Sequence, residues 1–350
     1  MSPSRRLFPI LVVVLLLPGC LRPRDAGTQA TAAGEYLLCF WNVENFFDDK
    51  LDGWSDKPDK EYDAWFAKEP EILATKLKHL SSALMELNGG RGPDLLAIAE
   101  CESQRAAELL RDALNARLTN EADHYTHVLF KDPKGGRHIA TAIITRLPVQ
   151  GNRTQLLGHR QRILEGHIDV DGHELVVIAS HWTSRLTEKE GEERKGHGRD
   201  DYADKVYGRF RAMYESNPAV DLLVCGDFND TPEDPSVTKH LKAIADVDTV
   251  RGGFEPVLLN LFANKSPEEY GTHYYHRRWH IFDQIVVSPG LLDNKGWTCE
   301  LDSATRVRTP QKPGDKQGRP WSFGTPKQRG EHGYSDHFPV TVKLRVSSEQ

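Results

Sequence analysis

Six short stretches of the chain end an apolar run with side chains suited to hold a metal ion or a phosphate. They are Trp41-Asn42, Ala99-Glu100, Ser180-His181-Trp182, Gly226-Asp227-Phe228-Asn229, Ile281-Phe282-Asp283-Gln284 and Ser335-Asp336-His337. Carboxylates and amide oxygens are the ligands a hard cation chooses, and histidine is the side chain that gives or takes a proton near neutral pH. Each stretch alone also has a plain structural reading. Strand-end Asn and Asp satisfy turn amides, and a lone His usually satisfies a local hydrogen bond. If the six converge on one edge of a sheet sandwich, the set suits attack of water on a phosphate ester. That reaction needs a cation against the phosphate charge, a group to align and deprotonate water, and a proton or positive charge for the leaving oxygen.

Groups so far apart in sequence can meet only if regular elements carry them. Runs rich in Val, Ile, Leu and aromatics predict strands over 36–42, 94–100, 125–131, 139–145, 163–170, 174–181, 220–226, 281–287 and 338–345. Asp171-Gly172 reads as a hairpin turn between two of them. Leu73, Leu77, Leu80, Leu84 and Leu87 recur at helical spacing from Pro70 to Asn88, and Gly89-Gly90 stops the run. Further helices are expected over 103–117 and 201–216. Many strands with few helices between them predict an α/β fold of two packed, mostly antiparallel β-sheets flanked by helices, a four-layer sandwich rather than one doubly wound parallel sheet. No repeat or second low-complexity segment interrupts 35–350, which reads as one domain.

Composition sets the outer bounds. The 350 residues are 38% hydrophobic and 27% charged with a net charge of −6, which excludes collagen, coiled coil and disorder. There is no global basic field, so a polyanion would have to be gripped by a local patch or through a metal ion. The N-terminus differs from the rest. Arg5 and Arg6 precede an apolar run of 13 residues, LFPILVVVLLLPG, the length of a secretory signal core and short for a bilayer span. It ends in Leu17-Pro18-Gly19-Cys20, which resembles the lipobox of bacterial lipoproteins, although proline at the second position is unusual. An ordinary signal peptide with an incidental cysteine is the alternative. The expectation is a signal peptide over 1–19, lipidation at Cys20, a flexible tether over 20–34, and an exported domain, either membrane-anchored or secreted into the periplasm or beyond. Removal of Arg5 and Arg6 takes the charge from −6 to −8. Cys39, Cys101, Cys225 and Cys299 remain; an even number permits disulfides after export, but three lie inside apolar strand runs and read as buried thiols.

Taken in order, the six stretches resemble the endonuclease/exonuclease/phosphatase superfamily. These magnesium-dependent phosphoesterases include pancreatic deoxyribonuclease, abasic-site endonucleases, bacterial sphingomyelinases and inositol polyphosphate phosphatases. The resemblance spans about residues 36–346, and GDFND at 226–230 and SDHFPV at 335–340 are its most diagnostic pieces. It implies a divalent-metal-dependent hydrolase using Mg2+, with Mn2+ or Ca2+ as alternatives. Glu100 would be the principal metal ligand, Asn42 would add an amide oxygen or hold a ligand in place, and Asp336 would lie near the metal. His337 would do acid/base work, with Asp283 fixing its tautomer and raising its pKa. Asp227 and Asn229 would hold the attacking water and a phosphate oxygen. His181 matches the histidine with which deoxyribonuclease-like and sphingomyelinase-like members touch the scissile phosphate, where abasic-site endonucleases carry asparagine. Arg137, ahead of HIATAII, resembles an arginine that grips phosphate in some deoxyribonuclease-like members; an idle loop charge is the equal alternative. The family usually has Gln-Glu where this chain has Ala99-Glu100. Glu102 would share a strand face with Glu100, so Glu100 is preferred without being unique.

Other polar segments are less specific. The acidic stretch 48–60 is read as a solvated loop rather than an extra cation site. His197, His273, His276, His280 and His332 show no zinc spacing and are read as surface or core residues. Loop 303–330 carries Arg306, Arg308, Lys312, Lys316, Arg319, Lys327 and Arg329 against Asp315, a local net of +6, with Trp321 and Phe323 among them. It is either a basic, base-stacking rim or a solvated Gly/Pro-rich loop. HWTSR at 181–185 and GTHYYHRRWHIFDQ at 271–284 resemble exported bacterial members described as endonucleases. The function expected is therefore a monomeric endonuclease that cleaves phosphodiester bonds in nucleic acid with activated water. A sphingomyelinase-type lipid phosphodiesterase, a phosphomonoesterase and a non-catalytic binding protein on the same scaffold are the alternatives. No aromatic-rich hairpin for a membrane stands out, and Glu100, Asp227, Asp283 and His337 are all present, which disfavours the first and the last.

Overall fold

A computed structural model describes residues 34–185, 197–328 and 330–347. The expected signal peptide, Cys20 and the tether up to residue 33 lie outside the described residues. The strands in chain order are β1 (Glu35–Phe46), β2 (Leu95–Cys101), β3 (His127–Phe130), β4 (Ala140–Thr145), β5 (Gln155–Leu156), β6 (Arg162–Val170), β7 (His173–His181), β8 (Leu222–Asp227), β9 (Ala243–Ile244), β10 (Leu258–Asn260), β11 (His273–Tyr275), β12 (Arg278–His280), β13 (Asp283–Val287), β14 (Trp297–Arg306) and β15 (Val340–Val346). The main helices are α1 (Lys57–Lys68), α2 (Pro70–Met85), α3 (Gln104–Asn115) and α4 (His197–Ser216).

Two sheets form the centre. One has the order β14-β15-β1-β2-β4-β3 and the other β5-β6-β7-β8-β13-β10-β9. Side chains alternate across each strand, so β1 sends Leu38 and Phe40 into the space between the sheets and Leu37, Cys39 and Trp41 toward the helices. Leu38 and Phe40 meet Val177, Leu223, Cys225 and Ile285 of the facing sheet. The outer face packs on Trp65 and Phe66 of α1, Leu73, Leu80 and Leu84 of α2, and Leu110 and Leu114 of α3. On the far side, Ile178, Leu222 and Val224 pack on Ala203, Val206 and Phe210 of α4. The layers are thus helices, sheet, sheet, helix. Strands buried on both faces have no polar side to show, which is why they read as unbroken apolar runs. All four described cysteines are free and buried, and no described helix is long and apolar enough to cross a membrane.

Most strand pairs are antiparallel; β9 with β10 runs parallel at a sheet edge, and so do β1 with β2 and β7 with β8 at the centre. Parallel neighbours end on the same side, so the two central pairs deliver Asn42, Glu100, His181 and Asp227 to one end of the sandwich. Antiparallel β13 starts at that end and sets Asp283 directly opposite Asp227.

Helix α1 and strands β5, β9, β10, β11, β12 and β14 have no counterpart among the expected elements. The acidic stretch 48–60 ends in the first turn of α1, where Asp59 and Asp63 are buried. Asp63 accepts the amides of Asp52 (3.0 Å) and Gly53 (3.0 Å), so acids that read as solvated are satisfied locally. Strand β14 was not anticipated; polar residues interrupt its apolar set, and its register with β15 shifts between Glu300 and Thr305.

Helix α4 is fastened to β6 by a buried carboxylate. Glu165 accepts hydrogen bonds from Arg209 (2.6 and 2.7 Å), His167 (2.9 Å) and Gln155 (2.8 Å). Burial works to raise its pKa, but these donors outweigh it and hold the carboxyl down at about 2, against 4.5 for an ordinary glutamate. A carboxyl depressed by folding stabilises the fold above its unfolded pKa and ceases to do so as pH falls toward the folded one. The melting temperature should therefore drop as pH is lowered from about 4.5 to about 2. Arg209→Met should lower it at neutral pH and flatten that acid slope; an unchanged slope would show that the clamp contributes nothing.

Candidate active site

At the end of the sandwich where β1, β2, β7, β8 and β13 meet, a cleft of about 440 Å³ opens. Glu100, Arg137, His181, Asp227, Asn229, Asp336 and His337 line it. Asn42 and Asp283 stand directly behind, hydrogen-bonded to lining residues. All the site residues expected among residues 34–347 are thus brought together.

Backbone irregularities aim several of them. Glu100 has φ +62° and stands at a register shift between β2 and β4. A matching shift in β1 spans Asn42 to Phe46, with Glu44 and Asn45 at φ +55° and +44°. Such left-handed backbone costs on the order of 1–3 kcal/mol per residue and persists only where surroundings impose it. The bulge turns Glu100 into the cleft and parts it from Glu102. Glu102 instead accepts from Trp54 Nε1 (2.9 Å) beside Asp48 and Asp52, away from the cleft. Burial first, then Asp48, pushes Glu102 up to about 8.

Asn42 ties the floor together. Its amide nitrogen donates to Glu100 Oε1 (3.3 Å) and Asp227 Oδ2 (3.0 Å), and its oxygen accepts the Glu44 amide (3.0 Å). Asn42 thereby holds the two carboxylates side by side. The Asn45 amide donates to Glu100 Oε2 (2.8 Å). Asp227 Oδ1 accepts the Asn229 amide (2.9 Å), and the Asn229 side chain donates to the Trp182 carbonyl (3.2 Å).

His337 Nδ1 donates to Asp283 Oδ2 (2.7 Å), while Nε2 lies 3.8 Å from Asp227 Oδ2. Burial alone would push the imidazole down, but Asp283 and then Asp227 outweigh it and hold its pKa well above the ordinary value. Asp227 is lifted to about 7, mainly by burial and further by facing Asp283. His181 shows the opposite behaviour. Burial, with Arg162 and His337 adding positive charge, keeps it well below the ordinary value and so neutral. Its Nε2 lies 3.8 Å from Asp227 and 3.9 Å from Glu100. Asp336 is raised by burial and by Glu100.

Glu100 and Asp336 both line the cleft and repel each other, and a cation bound there would relieve that repulsion. Both are hard oxygen donors, so the set fits a divalent ion of the magnesium or calcium kind. Other groupings of described residues lie close enough together for a metal: His337 with His273 and Asp336, His337 with Asp227 and Asp283, and, away from the cleft, Asp48 with Asp52 and Glu102. Glu100 and Asp336 both line the cleft and would supply oxygen donors to such an ion.

Three residues beside these carry no such expectation from sequence. His273, taken as a surface or core histidine, lines the cleft and stacks on His337 with ring centres 4.3 Å apart; its Nδ1 donates to the Asp336 carbonyl (2.9 Å). Asp59 and Asn45 hold Arg137, by Nε to Asp59 (2.8 Å) and Nη2 to Asn45 (2.6 Å). Arg137 is therefore a fixed charge rather than an idle one. In loop 303–330, Phe323 is buried against Phe66 and Arg306 is buried donating to the Gly271 carbonyl (2.8 Å), whereas Trp321 is half-buried and lines a cavity together with His273 and Asp336.

Comparison with known proteins agrees with this geometry. A search of curated proteins finds none that matches. Solved structures do match: truncated TDP2 of Caenorhabditis elegans has a TM-score of 0.52 at 15% identity, covering 90% of this chain and 98% of that one. A mannosyl-6-phosphatase of Bacteroides thetaiotaomicron gives 0.53 at 13%, covering 88% and 99%, and sphingomyelinase C of Streptomyces griseocarneus gives 0.51 at 13%, covering 88% and 99%. At such identities these likenesses show the fold. The family model described as "Endonuclease/Exonuclease/phosphatase family" matches residues 37–346, and its members are hydrolases of phosphoesters that use divalent metal ions. The chain therefore belongs to the endonuclease/exonuclease/phosphatase family.

Proposed function

We propose that the protein is an exported, Mg2+-dependent phosphodiesterase that cleaves nucleic acid. One observation carries the catalytic part: the His337–Asp283 pair faces Asp227 in a cleft that Glu100 and Asp336 also line. A divalent ion on Glu100 and Asp336 would neutralise charge on the phosphate and on the leaving oxygen. Asp227, with Asn229 beside it, aligns the attacking water and accepts its proton. His337 is held charged and turned by Asp283 so that Nε2 faces the cleft, where it offers a proton to a phosphate oxygen. Neutral His181 and paired Arg137 hold the remaining phosphate oxygens.

Two observations favour nucleic acid. A related fold, TDP2 of D. rerio, has been solved with a single-strand DNA product (TM-score 0.51, 14% identity). The β11–β12 hairpin beside the cleft carries His276 and Arg277 at its exposed tip, while Trp279 stacks on Phe338. A polar tip does not suit insertion into a lipid surface. The Arg5-Arg6 leader and the Leu17-Cys20 stretch support action outside the cytoplasm.

The test is hydrolysis of single-stranded DNA, RNA, sphingomyelin and a sugar monophosphate with Mg2+. Faster cleavage of DNA or RNA than of the other two is expected; preference for sphingomyelin or the monoester would overturn the nuclease reading. The Asp59–Arg137 pair gives a further expected result. Asp59→Asn should raise KM about tenfold, the worth of one charge-assisted hydrogen bond, with a smaller change in kcat. Steady-state kinetics would show otherwise if KM stayed constant.

A further inference from the structure

We propose that the cleft accepts a substrate bearing a second phosphate, held by Arg160 and Arg162 beside the phosphate that is cleaved. The proposal rests on the phosphodiesterase reading of the site and adds what the substrate must carry.

Four arginines line the cleft: Arg137, Arg160, Arg162 and Arg185. Two have their charge met by carboxylates. Arg137 is paired with Asp59, and Arg185 with Asp230 and Asp234. Arg160 and Arg162 have no carboxylate partner among the described residues. Arg162 donates Nε and Nη2 to the carbonyls of His181 (3.2 Å) and Trp182 (3.1 Å), which fixes the guanidinium against the site without neutralising it. Arg160 is exposed in the turn between β5 and β6, within a segment 157–162 that contains no acid.

The local backbone makes room beside Arg160. The 157–161 turn is joined to the β3–β4 loop by the Lys134 amide donating to the His159 carbonyl (2.7 Å). That loop brings Gly135 and Gly136, both with φ above +80°, to the cleft wall. Arg160 Nε and Nη2 lie 3.8 and 3.9 Å from where a β-carbon on Gly135 would stand, and nothing lies within 4 Å of that position on Gly136. His273, Tyr275 and Phe282 line the same cleft. Positive charge unmatched by any described carboxylate therefore lies next to bare backbone in a cleft that also carries aromatic rings. An exposed arginine with no partner adds little to stability, whereas its planar fork matches two phosphate oxygens. Anionic substrate there is what the arrangement fits. The second phosphate could be the next one along a polynucleotide or a second one on a small sugar ester.

The test compares paired substrates with the full chain and Mg2+. One pair is the dinucleotide TpT against its 5′- and 3′-phosphorylated forms; the other is a hexose 6-phosphate against the 1,6-bisphosphate. Calorimetric binding of thymidine 5′-phosphate against thymidine 3′,5′-bisphosphate gives a readout that does not depend on turnover. The second phosphate should raise kcat/KM and tighten binding by at least about tenfold, the worth of one charge-assisted hydrogen bond. That ratio should fall toward one in Arg160→Ala and below one in Arg160→Glu, and Arg160→Lys should keep part of it. A wild-type ratio of one, or a ratio indifferent to the Arg160 variants, would overturn the proposal. A gain seen only with the nucleotide pair identifies a polynucleotide source. A gain only with the hexose pair keeps the second-phosphate subsite while refuting the nuclease reading.

Discussion

His337→Ala should lower kcat about a thousandfold, the middle of the range for losing a positioned acid or base. The histidine is held charged by two carboxylates, Asp283 at 2.7 Å and Asp227 at 3.8 Å. Its loss removes the proton donor and also leaves Asp283 and Asp227 opposed with no cation between them. Stability should therefore fall as well, since breaking a buried ion pair typically costs about 3–5 kcal/mol. Kinetics must be measured well below the lowered melting point. Asp283→Asn separates the two effects: it keeps a polar partner for Nδ1 but can favour the wrong tautomer, so kcat should fall steeply while the imidazole remains. Normal kcat in a folded His337→Ala protein would remove His337 from the chemistry.

Glu100→Gln should weaken divalent cation binding by more than about tenfold, because even partners one layer behind a ligand are worth about 10–100-fold in metal affinity. The substitution keeps the shape and removes the charge. It also places an amide NH2 against either the Asn45 amide or the Asn42 side chain, both of which donate to Glu100 now. Mn2+ titration followed by electron spin resonance reads the affinity without reference to turnover. Glu102→Gln is the control. Glu102 sits with Trp54 and Asp48 outside the cleft, so its replacement should leave Mn2+ affinity at the Glu100 site unchanged. If the two variants exchanged these results, the bulge at Glu100 would not be the feature that selects the ligand.

The sandwich was legible because its strands are buried on both faces. Runs such as YLLCFWN and LLVCGD have no polar alternation, and every one of the nine predicted strands has a counterpart. Helix α2 was legible from its leucine spacing. What escaped the sequence escaped for specific physical reasons. Helix α1 has a polar sequence whose buried acids are satisfied by backbone amides and by Arg137, so its composition reads as solvated. The choice between Glu100 and Glu102 depends on a positive φ at a non-glycine residue, which spacing along a regular strand cannot reveal. His273 reaches the site only because the β11–β12 hairpin folds it against His337, a contact between residues 64 positions apart in the chain. Phe323 looked like a stacking group because nothing in the sequence says that Glu44 takes the Phe323 and Gly324 amides and draws that part of the loop inward.

The most direct test of the central claim is hydrolysis of bis-nitrophenyl phosphate by the protein stripped with EDTA and then titrated with Mg2+, with His337→Ala and Glu100→Gln alongside. A minimal diester carries nothing but the phosphate and its leaving group, so it reports on the catalytic cleft without reference to any particular natural substrate. The account predicts no turnover in EDTA, activity restored by Mg2+, a much higher Mg2+ requirement in Glu100→Gln, and loss that Mg2+ does not repair in His337→Ala. Turnover that persists in EDTA, or survives in both variants, would contradict it.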